Sequence, residues 1–327
     1  MTVATGVGSW PGDDAEDYAE AVRVVLGEVP ELPYLPELPA RGAGATMVGR
    51  TLGMIGDLGF DLQPAGWRLT DRPGVDHRRA KSLLLQDLDA LEEQAQGLEG
   101  AFKIQVAGPW TLAAAVERPR GDKILADHGA RRELAQALAE GVADHLHDVR
   151  GRVGAARIIV QVDEPSLPAV LSGAVPTASG FGRHRVVHPP EASDALEWVL
   201  GVAGPEPWVH SCAPGVPWQL LRGAGARGLS VDLAVLDAGD MDVLAEALDA
   251  GETVALGVVP SLEPAHPPTA TGLTEQVLRW LDMTGLDPGT VSEQLVLTPA
   301  CGLAGASPAW ARRALALCHV AATNLSG

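Results

Sequence analysis

The sequence predicts a single (β/α)8 TIM barrel over residues 1–327, with a Pro/Gly-rich insertion near residues 173–193. Three observations predict it. Short apolar runs alternate with longer amphipathic stretches, the pattern of a parallel sheet covered by helices. Seven such runs are clear and an eighth is ambiguous, which fits the eight strands of a barrel. No run leads into a G-x-G-x-x-G loop, which disfavours the alternative, an open doubly wound nucleotide-binding sheet. The nearest approach, Gly6–Gly8, continues as Ser-Trp-Pro.

The expected strands are Thr5–Trp10, Lys103–Ala107, Ile158–Val162, Trp208–His210, Leu229–Leu233, Val254–Val258 and Leu295–Leu297. The ambiguous one lies in Leu35–Leu38 or in Leu62–Leu69, which alternates like part of a hairpin. The clearest helices are Ser82–Gly97, Arg131–Val149, Met241–Ala250 and Thr274–Thr284, where charges fall on one face and Leu and Ala on the other. The stretch 173-GAVPTASGFGRHRVVHPPEAS-193 is too long for an ordinary connection and reads as a lid or a mobile insertion.

The chain has 327 residues, 46% of them hydrophobic, enough for one large barrel or two ordinary domains. Its formal net charge of -18 repels phosphate backbones and anionic headgroups, so neither nucleic acid nor a membrane surface is an expected partner. The first residues have neither the basic flank nor the apolar core of a signal peptide. Three widely spaced cysteines do not form a disulfide framework and point to a reducing cytoplasm.

The polar residues at the strand ends carry the chemistry. His210 and Cys212 close the Trp208 run, Asp232 the next, and Cys301 follows the last; Asp163 and Glu164 close the Ile158 run. In a barrel all these ends meet at one face. His, two Cys and a carboxylate make a zinc-type donor set. The alternative is that both cysteines are small apolar core residues and His210 a core histidine. Cys318, within 314-ALALCHVAA-322, reads as core.

Five motifs in order resemble the C-terminal catalytic barrel of the cobalamin-independent methionine synthase family. They are 5-TGVGSWP-11, 108-GPWTL-112, 161-QVDEP-165, 210-HSC-212 and 301-CG-302, with Asp232 on the intervening strand. The resemblance implies a Zn2+ ion held by His210, Cys212, Cys301 and Asp232, where the family's usual fourth ligand is glutamate. It implies transfer of a methyl group to a thiol, homocysteine giving methionine. It also implies that Asp163 binds the substrate ammonium and the backbone around Val7, Gly8 and Ser9 its carboxylate. Glu37, in 37-ELPAR-41, is the nearest match to a further family glutamate. Trp10 and Trp110 are candidate walls for a flat methyl carrier, or else core. The family's longer enzyme has a second, N-terminal barrel that helps hold folate. Here the sequence starts at the catalytic barrel, leaving the donor open between folate, methylcobalamin and a corrinoid protein. Two competing readings remain. One is a uroporphyrinogen-decarboxylase-like lyase, which would draw on Arg41, Arg50, Arg183 and Arg185. The other is a barrel that keeps the scaffold without turnover.

Overall fold

The computed structural model describes residues 1–154 and 157–326. Among the described residues nine strands are present: β1 Val3–Ala4, β2 Gly59–Gln63, β3 Gly66–Thr70, β4 Ala101–Ala107, β5 Arg157–Asp163, β6 Trp208–Ser211, β7 Gly228–Asp232, β8 Thr253–Val259 and β9 Leu295–Pro299. Seven form one parallel sheet in the order β1-β9-β8-β7-β6-β5-β4. The other two, β2 and β3, pair as a separate antiparallel hairpin.

The closed eight-stranded barrel expected from the sequence is therefore not formed. The main sheet is a seven-stranded open half-barrel, and its edges are β1 and β4. Two sequence features account for the difference. One candidate for the missing strand, Leu62–Leu69, is consumed by the β2–β3 hairpin. The other, Leu35–Leu38, lies in 31-ELPYLPELP-39, where Pro33, Pro36 and Pro39 each lack the N–H that a ladder needs. That segment makes only isolated bridges, Tyr34 to Lys103 and Glu37 to Ser9. The expected strand Thr5–Trp10 does not form either: β1, Val3–Ala4, ends just before it, and only Ser9 within it makes an isolated bridge. Beyond β1 the Val7 carbonyl accepts from the buried side chains of Lys103 and Gln161 instead of from a neighbouring strand.

The other six expected strands form, within one or two residues at their ends. The helices start earlier than their hydrophobic patterns suggest: Val75–Gln94, His128–Val153, Ala238–Asp249 and Ala270–Thr284. The starts of the last three are set by side-chain caps, which a search for apolar periodicity passes over. Asp127, Asp237 and Thr269 each accept an N-terminal amide of their helix. The last helix, Pro308–Ser326, packs on β9 and buries Cys318 completely, as expected of a core cysteine. Among the described residues, no helix is long and apolar enough to cross a membrane.

The stretch 173–193 divides in two. Its first part makes a short antiparallel bridge, Pro176 to Arg183, and is pinned where Asp122 accepts from the Ala178 amide at 2.8 Å and contacts His184 at 3.1 Å. Its end is the first turn of the helix Pro189–Val202.

One junction shows how sequence motifs position the site. The helix Pro109–Ala115 follows β4, and its N-cap, Gly108, has no side chain to satisfy the free amides. Glu164, just past β5, supplies it from across the sheet. Its carboxylate accepts from the Trp110 and Thr111 amides at 2.9 and 2.8 Å and from the Thr111 hydroxyl at 2.7 Å. A Cβ at position 108 would overlap the Glu164 side chain. The Gly-Pro and Asp-Glu-Pro motifs are thus two halves of one contact. Gly108→Ala should cost about 1–3 kcal/mol of stability. The expected reading is a lowered urea midpoint at unchanged slope; an unaltered midpoint would refute the contact.

Candidate active site

The C-terminal ends of the sheet strands bring His210, Cys212, Cys301 and Asp163 to one cavity of ≈ 260 Å³, which Glu37 joins from the Pro-rich segment 31–39. Val7, Gly8, Ser9, Pro39, Met47, Pro165 and Gly302 complete its lining.

His210 is buried on β6, directly beside Ser230 of β7. Its Nδ1 lies 3.1 Å from the Ser230 carbonyl and 2.9 Å from the Ser230 hydroxyl. With Nδ1 carrying the proton toward that carbonyl, Nε2 keeps its lone pair for the cavity. Burial, followed by the charge of Lys103, lowers the imidazole to about 3, so the ring is neutral. Neutral imidazole is the form that ligates metals. Cys212 leaves the same strand two residues on, where alternation returns the side chain to the same side. Cys301 arrives from β9. Ligand atoms of His210, Cys212 and Cys301 lie within 4.8 Å of one another.

The two sulfurs are in disulfide contact, with Cα atoms 6.0 Å apart. The isolated spacing of the cysteines gave no hint of this pairing. A 6.0 Å separation suits a disulfide, and two thiolates presented beside an imidazole suit a metal. Oxidation would remove both thiolates. Metal uptake is therefore expected only after reduction: protein treated with a phosphine reductant should bind about one metal ion per chain, and oxidised protein about none. Equal uptake by both forms would exclude the two cysteines as ligands.

Asp232 ends β7, at the rim. Its Oδ1 accepts from the Ala234 amide at 2.9 Å, capping the short turn Leu233–Val235. It stands outside the His–Cys–Cys group.

Two carboxylates line the same cavity, and Asp163 is in register with His210 on the neighbouring strand. Asp163 and Glu37 are both buried. Burial is the main force pushing each upward; the Glu37 charge adds to it at Asp163, while Arg50 opposes it at Glu37. Arg50 Nε is 3.7 Å from Glu37, and the Arg50 guanidinium also pairs with Asp87. Arg41 holds Asp87 through two 2.7 Å hydrogen bonds. Both arginines are thus committed to a buried ion cluster behind Glu37.

The backbone at the cavity mouth is open. Among the described residues, the Gly8 and Ser9 N–H groups donate to no protein acceptor, whereas the flanking Trp10 N–H is tied to the Glu37 carbonyl at 2.7 Å. Ser9 is clamped against the other end of the chain: its carbonyl accepts from the Leu303 amide at 2.9 Å and its hydroxyl from the Ala304 amide at 3.2 Å. Gly302 is required there, since a Cβ would overlap the Ser9 hydroxyl. This explains the glycine after Cys301.

Trp10 and Trp110 do not line the cavity. Both are buried in the core, and the Trp110 indole donates to the Ala192 carbonyl at 3.1 Å. Sequence reasoning gave no role to Lys103, Gln105, Gln161 or Ser230, all buried polar residues beneath the cavity. The signal was present in 103-KIQVA-107 and 161-QVD-163, where polar residues recur at period two inside otherwise apolar strands.

Residues 99–324 match the family model described as "Cobalamin-independent synthase, Catalytic domain". The chain belongs to this family. The match covers β4 through the last helix and so includes Asp163, His210, Cys212 and Cys301. The family's fold extends over the rest of the chain. A B12-independent methionine synthase from Shewanella sp. W3-18-1, solved in complex with selenomethionine, superposes with a TM-score of 0.63 at 13% identity, covering 100% of this chain and 98% of that one. A putative dihydrodipicolinate synthetase from Pseudomonas aeruginosa aligns at a TM-score of 0.44 and 9% identity, over 100% of this chain and 79% of that one. No curated protein sequence matches the chain significantly. Membership in the synthase family makes the His–Cys–Cys cluster and the adjoining carboxylates the candidate centre of a methyltransferase.

Proposed function

We propose that this protein is a zinc-dependent methyltransferase that methylates a thiol, homocysteine, to give methionine. The observation that carries the reading is the meeting, in one cavity, of a His–Cys–Cys donor set and two buried carboxylates. An amino acid with a thiol at its far end needs both: soft ligands around the sulfur and anionic partners for the ammonium.

His210, Cys212 and Cys301 are the residues that would hold zinc, with Asp232 as fourth ligand once its side chain turns from the Ala234 amide. Zinc at these residues supplies a Lewis acid that favours the thiolate form of the substrate sulfur. Ser230 fixes the His210 ring. Asp163 and Glu37 receive the ammonium, and the free Gly8 and Ser9 amides receive the substrate carboxylate. The solved relative's selenomethionine complex supports a pocket of this kind, because selenomethionine is an analogue of the product.

The lyase reading loses support from the arginines. Arg41 and Arg50 are paired with Asp87, and among the described residues no arginine lines the cavity. A porphyrin's carboxylates would find no cationic partner there.

The test is methionine formation by zinc-loaded, reduced protein from homocysteine, with methylcobalamin and methyltetrahydrofolate supplied separately. Turnover with either donor, lost on zinc removal and restored by zinc, is expected. No methionine from either, with zinc fully bound, would argue for the scaffold without turnover.

A further inference from the structure

We propose that Lys103 is a positioning residue that aims the two substrate-binding carboxylates through a pair of glutamine side chains. It sits on β4, fully buried beneath the cavity. Its ammonium donates to the Val7 carbonyl at 2.9 Å, to Gln161 Oε1 at 3.0 Å and, more weakly, to Gln105 Oε1 at 3.5 Å. From the far ends of the same amides, Gln161 Nε2 donates to Asp163 Oδ1 at 2.7 Å and Gln105 Nε2 to Glu37 Oε1 at 3.0 Å. Two arms therefore leave one lysine, and each ends on a carboxylate.

The direction of each arm follows from chemistry. An ammonium has donors only, so each amide must turn its oxygen to Lys103 and its NH2 away. The outer NH2 groups can then only donate, and the groups they meet must accept. Gln161 Nε2 also donates to the Val7 carbonyl at 2.9 Å, and Gln105 Nε2 to the Leu35 carbonyl at 2.6 Å, both consistent with that orientation. One oxygen of each carboxylate is thereby fixed. Among the described residues, the other oxygen of each accepts no hydrogen bond and is left for the ligand. Without the lysine, each buried amide oxygen loses its donor and the arm is held only through its NH2 group.

This inference rests on the homocysteine reading for its consequence. Loss of the Lys103 charge would by itself favour the neutral form of both carboxyls, so weaker binding in Lys103→Met does not alone separate charge from position. Gln161→Met, which leaves the lysine and its charge in place, does.

The test uses zinc-loaded Lys103→Met together with Gln161→Met, which cuts one arm and stands alone should Lys103→Met fold poorly. Binding of L-homocysteine and of 4-mercaptobutanoate, which lacks the amine, is compared by calorimetry. Homocysteine should bind about 10- to 100-fold more weakly, while 4-mercaptobutanoate and zinc content stay unchanged. Tighter homocysteine binding, or equal weakening of both thiols, would overturn the proposal. The side-chain amide signals of Gln161 and Gln105 in 15N spectra give a readout free of substrate: displaced, exchange-protected NH2 signals in the parent protein, moved to free-glutamine positions and exchanging rapidly with solvent in Lys103→Met. If the parent protein binds neither thiol, the homocysteine reading fails, and these signals still decide whether Lys103 orients the amides.

Discussion

Replacing either Cys212 or Cys301 by alanine should lower bound zinc from about one per chain to near zero and reduce methyl transfer by about three orders of magnitude or more. Two thiolates and one imidazole are the whole of the preassembled donor set, so each loss leaves a two-ligand site. A two-ligand site holds zinc weakly, and a thiol that is not deprotonated is a poor nucleophile at neutral pH. Both cysteines sit in half-buried loops after their strands, so folding should be little affected. Cys318→Ala is the matched control. That thiol is buried in the last helix, and burial pushes it well above the ordinary thiol range. It should cost about 1 kcal/mol of stability and leave zinc and turnover intact. Metal analysis of the three reduced variants checks the prediction. Full zinc retention in both Cys212→Ala and Cys301→Ala would sink the metal site.

Much of this centre was legible because its residues stand at strand ends. A strand that terminates in His-x-Cys or Asp-Glu-Pro announces itself through the break in an apolar run, and parallel strands carry such breaks to a common face. The closure of the barrel was not legible in the same way. Strand–helix alternation says how many apolar runs exist, but it cannot weigh three prolines spaced three apart against the burial of Tyr34, Leu35 and Leu38. The structure keeps those side chains buried and gives up the ladder. The supporting polar layer was hidden for a different reason. Lys103, Gln105 and Gln161 lie inside strands, where polar residues ordinarily read as solvent-facing alternation. Only the three-dimensional meeting of their amides and ammonium reveals that these faces point inward. Asp232 marks the converse case: its place at a strand end is right, while its side chain is engaged in capping the turn that follows.

Asp163→Asn should lower kcat/KM for homocysteine by about 10²- to 10³-fold, with most of the loss in KM. Breaking a buried charge pair by removing one partner costs roughly 3–5 kcal/mol, and in the proposed binding mode the ammonium is remote from the reacting sulfur, so the lost interaction would be made equally in ground and transition states. The asparagine is worse than neutral here. Gln161 Nε2 donates toward this side chain, so the new amide must give its oxygen to Gln161 and turn its own NH2 toward the substrate ammonium, donor against donor. Glu37→Gln should cost less, about tenfold, because Arg50 at 3.7 Å already offsets part of the Glu37 charge. The two carboxylates would share one ammonium, so the double variant should lose less than the product of the single losses. The pH dependence carries a sign. Burial first, and then the Glu37 charge, raise the Asp163 carboxyl above its ordinary value. A raised carboxyl is protonated, and so unable to pair with an ammonium, over a wider acid range than a free aspartate. Homocysteine binding by the parent protein should therefore weaken as pH falls through that raised range, well before an ordinary carboxylate would titrate. In Asp163→Asn this limb should shrink to the part that the likewise raised Glu37 contributes, alongside the pH dependence of the thiol. Steady-state kinetics of the parent, the two single variants and the double variant across pH measure all of this. An Asp163→Asn enzyme with unchanged KM would remove Asp163 from the substrate site.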